Sequence, residues 1–377
     1  MRLTINATDV GRQRGGNESF LLGLLDGLCS LPEPREECVT LVACSDGIPL
    51  LAAQSLPERF QIVDTGPYRR WSSYLWQQTQ AMRYARADWY LSTFLLPPVV
   101  PCRAAVIVHD LSFRAHPEYF PASIALYMTV LVGWAVRRAE RVFTISEFTR
   151  SEIQRFYPWA AHKTAVVYPG VGPEFTPEGD AAADDAALRD YGVEPPYILA
   201  VGNIHPRKNL AGLMDAYERL SRTRLDLPPL VWVGVERWGS SQLQERARAA
   251  GVRLTGRVAP EHLPAFYRRA TLLVYPSLYE GFGLPPLEAM ACGVPVVVSS
   301  TTSLPEVAGE AALLADPEDP ADLAHVIERA LFDGTLRAEL RTSGPLRAAQ
   351  FDWAKTAEGL MASLHSADMH SVVTLQV

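Results

Sequence analysis

Two glutamates in one short stretch are candidates for binding a ligand rich in hydroxyl groups. Glu280 and Glu288 are separated by seven residues, so they cannot share a proton as a tight carboxylate pair would. Two carboxylates at this spacing are better suited to accept hydrogen bonds from hydroxyls at different points along one long ligand. The alternative is that both are solvated side chains on a well-packed turn and helix.

The elements predicted around these glutamates suit an anion. Apolar runs at 271–275 and 294–298 are typical of buried strands. Between them, Gly281 and Gly283 allow the backbone to approach a ligand, and two consecutive prolines favour the first turn of a short helix. A strand, a glycine loop and a helix in this order offer amide groups to an anion, here from Gly283 and Leu284.

A second loop of the same kind supplies positive charge. A predicted strand at 197–201 is followed by Gly202, then by Arg207 and Lys208, and then by a helix that begins at Leu210. Arginine can make paired bonds to phosphate oxygens, and lysine adds a compact charge. The loop is therefore predicted to hold a diphosphate, with a solvated basic turn as the alternative.

Two strand ends in the N-terminal half also carry candidate residues. The predicted strand at 3–6 leads through Gly15 and Gly16 into a helix, and such a loop can approach a phosphate or a sugar. The predicted strand at 104–108 ends at His109, where an imidazole would face the ligand crevice of a parallel sheet. The alternatives are that the Gly15 and Gly16 loop is only a surface turn, and that His109 only packs in the core.

The segment from Glu280 to Glu288, followed by Ala-Met-Ala-Cys-Gly-Val-Pro-Val-Val, resembles the signature of the retaining nucleotide-sugar glycosyltransferases of family four. The Pro-Arg-Lys-Asn run at 206–209 is similar to a loop of the same family. The resemblance covers most of the chain and is densest from 197 to 307. It implies an α/β architecture, the GT-B fold, in which two Rossmann-like, doubly wound parallel-sheet domains face a central cleft.

The resemblance also implies a role for each candidate residue. Arg207 and Lys208 would neutralise charge on the departing diphosphate, Glu280 would bind donor-sugar hydroxyls, and His109 would lie beside the reacting carbon. Glu288 would bind the ribose. The expected catalytic residues are His109, Arg207, Lys208 and Glu280. The residues expected to bind the donor nucleotide-sugar are Gly15, Gly16, Gly202, Val258, Phe282, Gly283, Leu284 and Glu288. Retention would follow from front-face attack, and no metal ion is expected to be required.

Composition changes along the chain predict the domain boundaries. A segment rich in proline, alanine and acidic residues at 174–196 is predicted to be a hinge. It would join an N-terminal acceptor-side domain, 1–173, to a C-terminal domain that binds the NDP-sugar, 197–350. A last helix at 351–366 is expected to cross back to the N-terminal domain, and 367–377 is expected to be a flexible tail.

Length and composition exclude several classes of protein. A chain of 377 residues, 48% hydrophobic and with a net charge of −7, is expected to be globular and gives no support to a nucleic-acid partner. Five cysteines without a close pair predict neither a disulfide framework nor a zinc site, and they favour a reducing, cytoplasmic location. The apolar run at 122–136 is shorter than the roughly 20 residues of a membrane span, so a buried helix is expected there.

Donor, acceptor and wider function stay open at this point. GDP-mannose and UDP-glucose are both ordinary donors for such chains, and overall similarity favours GDP-mannose slightly. The acceptor is expected to be a saccharide or a lipid-linked molecule, so contact with the inner face of the membrane stays an open alternative. The sequence does not predict the oligomeric state. The basic and aromatic stretch at 68–76 would line an acceptor groove or pack inward. Rival functions are a phosphorylase or epimerase of the same fold, and a protein that binds a nucleotide-sugar without transferring it.

Overall fold

The computed structural model describes residues 1–12, 15–32, 37–69, 73–235 and 241–373. The chain divides into two compact units. The first unit comprises Met1–Gly170 and Asp352–Val377, and the second comprises Val171–Phe351.

The first unit is built on a parallel sheet. Its strands are β1 (Arg2–Asn6), β2 (Cys38–Ala43), β3 (Phe60–Asp64), β4 (Trp89–Thr93), β5 (Arg103–Val108), β6 (Arg141–Thr144) and β7 (Thr164–Val166). In the described residues they lie in the order β3-β2-β1-β4-β5-β6-β7. The register places Leu3 opposite Val39 on one side and Trp89 on the other. Every residue from Ala104 to Val108 is fully buried, as expected for a parallel strand covered on both faces.

Helices connect these strands. They are α1 (Gly16–Ser30), α2 (Ile48–Ala52), α3 (Gln78–Tyr84), α4 (Ser112–Ala115), α5 (Ala122–Arg138) and α6 (Glu147–Phe156). The apolar helix expected to be buried is α5, but only one of its faces packs inward. Val132 and Ala135 are fully buried, whereas Leu126 and Val130 are 66% and 58% exposed. Among the described helices, none is both long enough and apolar enough to cross a bilayer.

The second unit is built on another parallel sheet. Its strands are β8 (Ile198–Val201), β9 (Leu230–Val233), β10 (Arg253–Gly256), β11 (Leu272–Tyr275), β12 (Val296–Ser299) and β13 (Leu313–Ala315). In the described residues the order is β10-β9-β8-β11-β12-β13. Because β8 and β11 are neighbours and parallel, the loops that follow them leave the same edge of the sheet side by side.

The helices of the second unit cover this sheet. They are α7 (Ala181–Arg189), α8 (Leu210–Ser221), α9 (Ser241–Ala249), α10 (Leu263–Arg269), α11 (Leu284–Ala291), α12 (Leu304–Ala308), α13 (Pro320–Phe332) and α14 (Gly334–Ala348). Met214, Trp232 and Ile327 belong to one buried cluster between sheet and helices. The two parallel-sheet, Rossmann-like domains that the sequence predicts are therefore confirmed.

The predicted hinge at 174–196 lies within the second unit and contains α7. Arg268 holds Asp184 of this helix through an ion pair of 2.6 Å, and the Asp184 side chain is only 7% exposed. Arg269 pairs with Asp185 at 2.7 Å. The helical part of the segment is therefore fastened to α10, and the chain passes from one unit to the other at residues 170–171 and 351–352 instead.

The last helix, α15 (Trp353–Val373), belongs to the first unit and packs on α1. Gly23 and Gly27 leave the room that Trp353 occupies, because a Cβ at either glycine would collide with it. The Phe20 ring meets Trp353 edge-on at 5.4 Å. The sequence predicts a flexible tail from residue 367, but the helix continues to Val373. Buried apolar residues recur at helical spacing as far as Ala367, which explains why the helix extends past the predicted end.

Candidate active site

The glycine loop between β11 and α11 presents Glu280 at the carboxyl edge of the second sheet. Gly283 caps α11 with φ of +117°, a backbone conformation that favours glycine. A Cβ there would also lie 2.7 Å from Leu304 Cδ2. At the other end of the helix, Gly293 has φ of +69° and donates to Met290 O at 3.0 Å, so a glycine in the left-handed region ends the helix.

Arg207 and Lys208 both bind Glu280. Arg207 Nη1 donates to Glu280 Oε2 at 2.9 Å, and Lys208 Nζ donates to Glu280 Oε1 at 2.5 Å. The Glu280 side chain is 8% exposed, against 23% for Arg207. A buried carboxylate therefore lies between two cations, of which the arginine is the more accessible to solvent.

The cluster carries a net positive charge. Burial disfavours the ionised form of Glu280, but the charges of Arg207 and Lys208 outweigh it and lower the pKa of Glu280 to about 2. One carboxylate thus faces two cations at neutral pH, next to the N-terminus of α11, which favours anions. Within the described residues, no group of three or more His, Cys, Asp or Glu side chains is placed to hold a metal ion.

Hydrogen bonds to backbone oxygens join the loop that carries Arg207 and Lys208 to the loop that carries Glu280. Leu278 N donates to Arg207 O at 2.8 Å, and Arg207 Nη1 donates to Tyr279 O at 3.0 Å. Asn209 has φ of +55° and caps α8 by accepting from Gly212 N at 3.2 Å. These bonds fix the direction in which Arg207 leaves its loop.

A turn before α12 holds the Glu280 loop from another side. Glu280 N donates to Thr302 Oγ1 at 3.2 Å. Ser303 Oγ lies 3.0 Å from Glu280 O and 2.9 Å from Phe282 O. The Phe282 ring is buried and meets Phe351 edge-on at 5.6 Å. Any contact between Phe282 and a ligand would therefore come from its backbone.

Glu288 has a different electrostatic setting. Tyr267 Oη donates to Glu288 Oε2 at 2.7 Å. Burial raises the pKa of Glu288 to about 7; the hydrogen bond from Tyr267 lowers it in part, and the charge of Glu174 raises it further. Near neutral pH, Glu288 is therefore divided between protonated and ionised forms, whereas Glu280 is fully ionised.

Gly202 and Val258 lie just after two other strands of the second sheet, at the same carboxyl edge. Gly202 comes directly after β8 with φ of +141°, and a Cβ there would lie 3.3 Å from Lys208 Cε. Val258 lies two residues beyond β10, which is separated from β8 by β9, and it is buried. The structure therefore brings Gly202 beside the cluster and places Val258 two strands away.

His109, in the first unit, is buried among aromatic rings. Its ring stacks on Phe94 with centroids 5.2 Å apart, and Phe20 meets it edge-on at 4.7 Å. In the described residues its Nε2 is buried without a hydrogen-bond partner. Burial lowers the pKa of His109 to about 4, although Asp110 opposes the change. A neutral imidazole with one unpaired nitrogen can hydrogen-bond a ligand hydroxyl.

The glycine loop of the first unit lies at the start of α1. Gly15 caps the helix with φ of +75°, and a Cβ at Gly16 would meet nothing within 4 Å. Phe20, in the next turn, contacts His109, so the start of α1 and the end of β5 lie together. Outside the described residues lie Arg14 of this loop and two residues of the predicted acceptor stretch, Arg70 and Trp71.

Sequence reasoning missed two tyrosines that contact the glutamates. Tyr275 Oη lies 2.5 Å from Lys208 Nζ and donates to Glu280 Oε1 at 3.1 Å. Tyr267 bonds Glu288, as described above. The available signal was a tyrosine as the last residue of an apolar strand, where its polar tip reaches the carboxyl edge of the sheet.

Comparisons with known proteins identify the family to which the chain belongs. The family described as "Glycosyl transferases group 1" matches residues 189–347. The chain is 38% identical over 255 residues to O-antigen chain mannosyltransferase B of Escherichia coli, and the match covers 67% of each protein. It is 33% identical over 268 residues to the serotype-specific mannosyltransferase WbdA of Escherichia coli, covering 68% of this chain but only 33% of that longer protein.

A solved structure shows the same fold. Anabaena HepE, crystallised in complex with UDP and glucose, superposes with a TM-score of 0.73 at 19% identity, covering 97% of this chain and 100% of that one. An identity this low bears on the fold alone, whereas the match to the O-antigen mannosyltransferase bears on the family. The chain has the GT-B fold and belongs to the group 1 glycosyl transferases.

Proposed function

We propose that the chain is a retaining hexosyltransferase that moves mannose from GDP-mannose to a saccharide or lipid-linked saccharide acceptor. The observation that carries the proposal is the buried cluster of Arg207, Lys208 and Glu280 beside the N-terminus of α11. The names of two relatives support mannose as the sugar. UDP-glucose stays the alternative donor, since the HepE crystal contains UDP and glucose.

The two cations suit the leaving group of such a donor. As the bond between the anomeric carbon and the phosphate oxygen breaks, its electron pair goes to that oxygen and negative charge grows on the diphosphate. Arg207 can make paired bonds to phosphate oxygens, and Lys208 adds a point charge. Both are positioned in advance by Glu280, so little reorganisation is needed when charge develops.

Glu280 is better suited to hold a sugar hydroxyl than to attack the anomeric carbon. Both of its oxygens accept hydrogen bonds from cations, which lowers their nucleophilicity. A retaining glycosidase places two carboxylates about 5 Å apart as nucleophile and acid, and the cluster holds one carboxylate. Front-face attack is proposed instead: the acceptor oxygen bonds the anomeric carbon while its proton passes to the leaving phosphate oxygen.

The remaining candidates take up the nucleoside and the sugar. Glu288 is proposed to accept hydrogen bonds from the ribose hydroxyls, and the backbone at Val258 to contact the base. His109 is proposed to bond a substrate hydroxyl through Nε2, because that nitrogen is buried, neutral and unpaired among the described residues.

A binding panel followed by a turnover assay tests this function. Calorimetry with GDP, UDP, ADP and their sugar conjugates should show GDP-mannose as the tightest nucleotide-sugar. Release of GDP should rise when a mannose-containing saccharide acceptor is added, and the new linkage should keep the α configuration of the donor. Binding without acceptor-stimulated GDP release would favour a non-catalytic binding protein. A mannosyl group trapped covalently on Glu280 would contradict the front-face mechanism.

A further inference from the structure

Two buried tyrosines precede the glutamate pair on consecutive elements. Tyr267 lies in α10 and Tyr275 ends β11, and their side chains are almost inaccessible to solvent. Each hydroxyl contacts a different glutamate: Tyr275 reaches Glu280, and Tyr267 reaches Glu288.

Tyr275 completes a triangle with Lys208 and Glu280. Its hydroxyl lies 2.5 Å from Lys208 Nζ and 3.1 Å from Glu280 Oε1, the same oxygen that accepts from the lysine. The Lys208 ammonium also lies 4.7 Å from the centre of the Tyr275 ring. One carboxylate oxygen is therefore shared between a cation and a neutral donor.

Tyr267 is the corresponding donor for Glu288. Its hydroxyl lies 2.7 Å from Glu288 Oε2, and its ring meets Phe175 edge-on with centroids 5.8 Å apart. Burial, reinforced by the neighbouring glutamate, raises the pKa of each tyrosine hydroxyl well above its ordinary value. Both hydroxyls therefore keep their protons at neutral pH and act as donors.

We propose that Tyr275 and Tyr267 are positioning residues, Tyr275 orienting Glu280 toward the donor sugar and Tyr267 orienting Glu288 toward the nucleoside. The inference rests on the proposed function, because it assumes that the two glutamates bind those parts of one donor. When a bound diphosphate also accepts hydrogen bonds from the Lys208 ammonium, the bond from Lys208 to Glu280 Oε1 weakens although the lysine stays in place. The Tyr275 hydroxyl keeps that oxygen in place, so the carboxylate does not turn away from the sugar.

The two roles predict different effects on two ligands. Glu280 is proposed to contact only the sugar, so Tyr275→Phe should weaken GDP-mannose binding roughly tenfold more than GDP binding, the loss expected for one hydrogen bond to a charged group. Glu288 is proposed to contact the ribose, which both ligands contain. Tyr267→Phe should therefore weaken GDP and GDP-mannose by about the same factor, leaving the ratio of their Kd values unchanged.

Calorimetry with GDP and GDP-mannose on the full chain measures this ratio. Tyr217→Phe is the matched control, because it removes a tyrosine hydroxyl that donates to Pro228 O at 3.3 Å and belongs to no residue of the proposed site. The control should leave both Kd values at wild-type levels, and thermal unfolding confirms that each variant is folded.

A double variant shows whether Tyr275 acts through Glu280 or only through a general effect on the structure. If Tyr275 acts through Glu280, adding Tyr275→Phe to Glu280→Gln should cost little further affinity for GDP-mannose. A wild-type ratio in Tyr275→Phe, or fully additive losses in the double variant, would overturn the inference while the proposed function stands. A wild-type chain that binds neither ligand would overturn the proposed function and this inference together.

Discussion

Lys208 Nζ lies 2.5 Å from Glu280 Oε1, although the two residues are 72 positions apart in the chain. The carboxylate therefore neutralises part of the charge that is proposed to bind the donor's diphosphate, and it fixes where that charge sits. The arrangement implies that the two cations and the carboxylate depend on one another for their positions.

Removing either cation should lower turnover strongly. Arg207→Ala and Lys208→Ala are each expected to reduce kcat by roughly 10²-fold or more, because each removes a positive charge aimed at the leaving group. The measurement is steady-state release of GDP from GDP-mannose with acceptor present. Lys355→Ala, which removes an exposed lysine of α15, is the control and should keep wild-type turnover. Wild-type turnover in Arg207→Ala or Lys208→Ala would remove that residue from the proposed role.

The ion pairs of Glu280 should contribute stability with a defined pH dependence. The pKa of Glu280 is lowered from 4.5 to about 2, so its contribution is fully present above 4.5 and is lost as the pH falls toward about 2. The difference in unfolding free energy between wild type and Glu280→Gln should shrink over that range in urea titrations. Glu328→Gln, which breaks a half-exposed pair with Arg224, should change stability little. A difference in unfolding free energy that stays constant as the pH falls to about 2 would contradict the lowered pKa of Glu280.

Nucleotide affinity should depend on the ionisation of Glu288. Its pKa is about 7, and the ionised carboxylate is the stronger acceptor for ribose hydroxyls. Wild-type affinity for GDP should therefore rise relative to Glu288→Gln as the pH increases through about 7. The ionisation of GDP itself is common to both proteins and cancels in the comparison. Parallel pH profiles for the two proteins would argue against the ribose contact.

Glu288 should also affect stability, with the opposite sign to Glu280. Its folded-state pKa is raised above the ordinary value of 4.5, so folding favours the protonated form. Its contribution to the unfolding free energy should fall as the pH rises from 4.5 through about 7. Glu288→Gln removes this dependence, and its stability relative to wild type should increase across the same range.

His109 should act as a neutral hydrogen-bonding group. His109→Phe preserves an aromatic ring between Phe20 and Phe94 but removes Nε2, so turnover should fall about tenfold while GDP binding stays unchanged. His162→Phe, at an exposed position of the first unit, serves as the control. A large loss of GDP affinity in His109→Phe would assign His109 to nucleotide binding and contradict the proposed bond to a substrate hydroxyl.

Much of the candidate site could be predicted because its information is local. Glycines at Gly281, Gly283 and Gly293, two consecutive prolines and the flanking valine-rich runs specify a strand, a loop and a short helix by backbone preference alone. The same reasoning located the basic loop at 206–209, whereas the two parallel-sheet domains were implied by the resemblance to a known family. These features depend on neighbours in sequence, so they are visible without a folded structure.

Only the tertiary structure decided how these segments act on one another. β8 and β11 become neighbours although β9 and β10 lie between them in the chain, and this places Arg207 and Lys208 against Glu280. The charges of Arg207 and Lys208 then lower the pKa of Glu280 in spite of its burial, whereas burial raises the pKa of Glu288 more than the hydrogen bond from Tyr267 lowers it. Two residues of the same type thus acquire pKa shifts in opposite directions, because a pKa depends on distances and solvent exposure that local sequence does not encode.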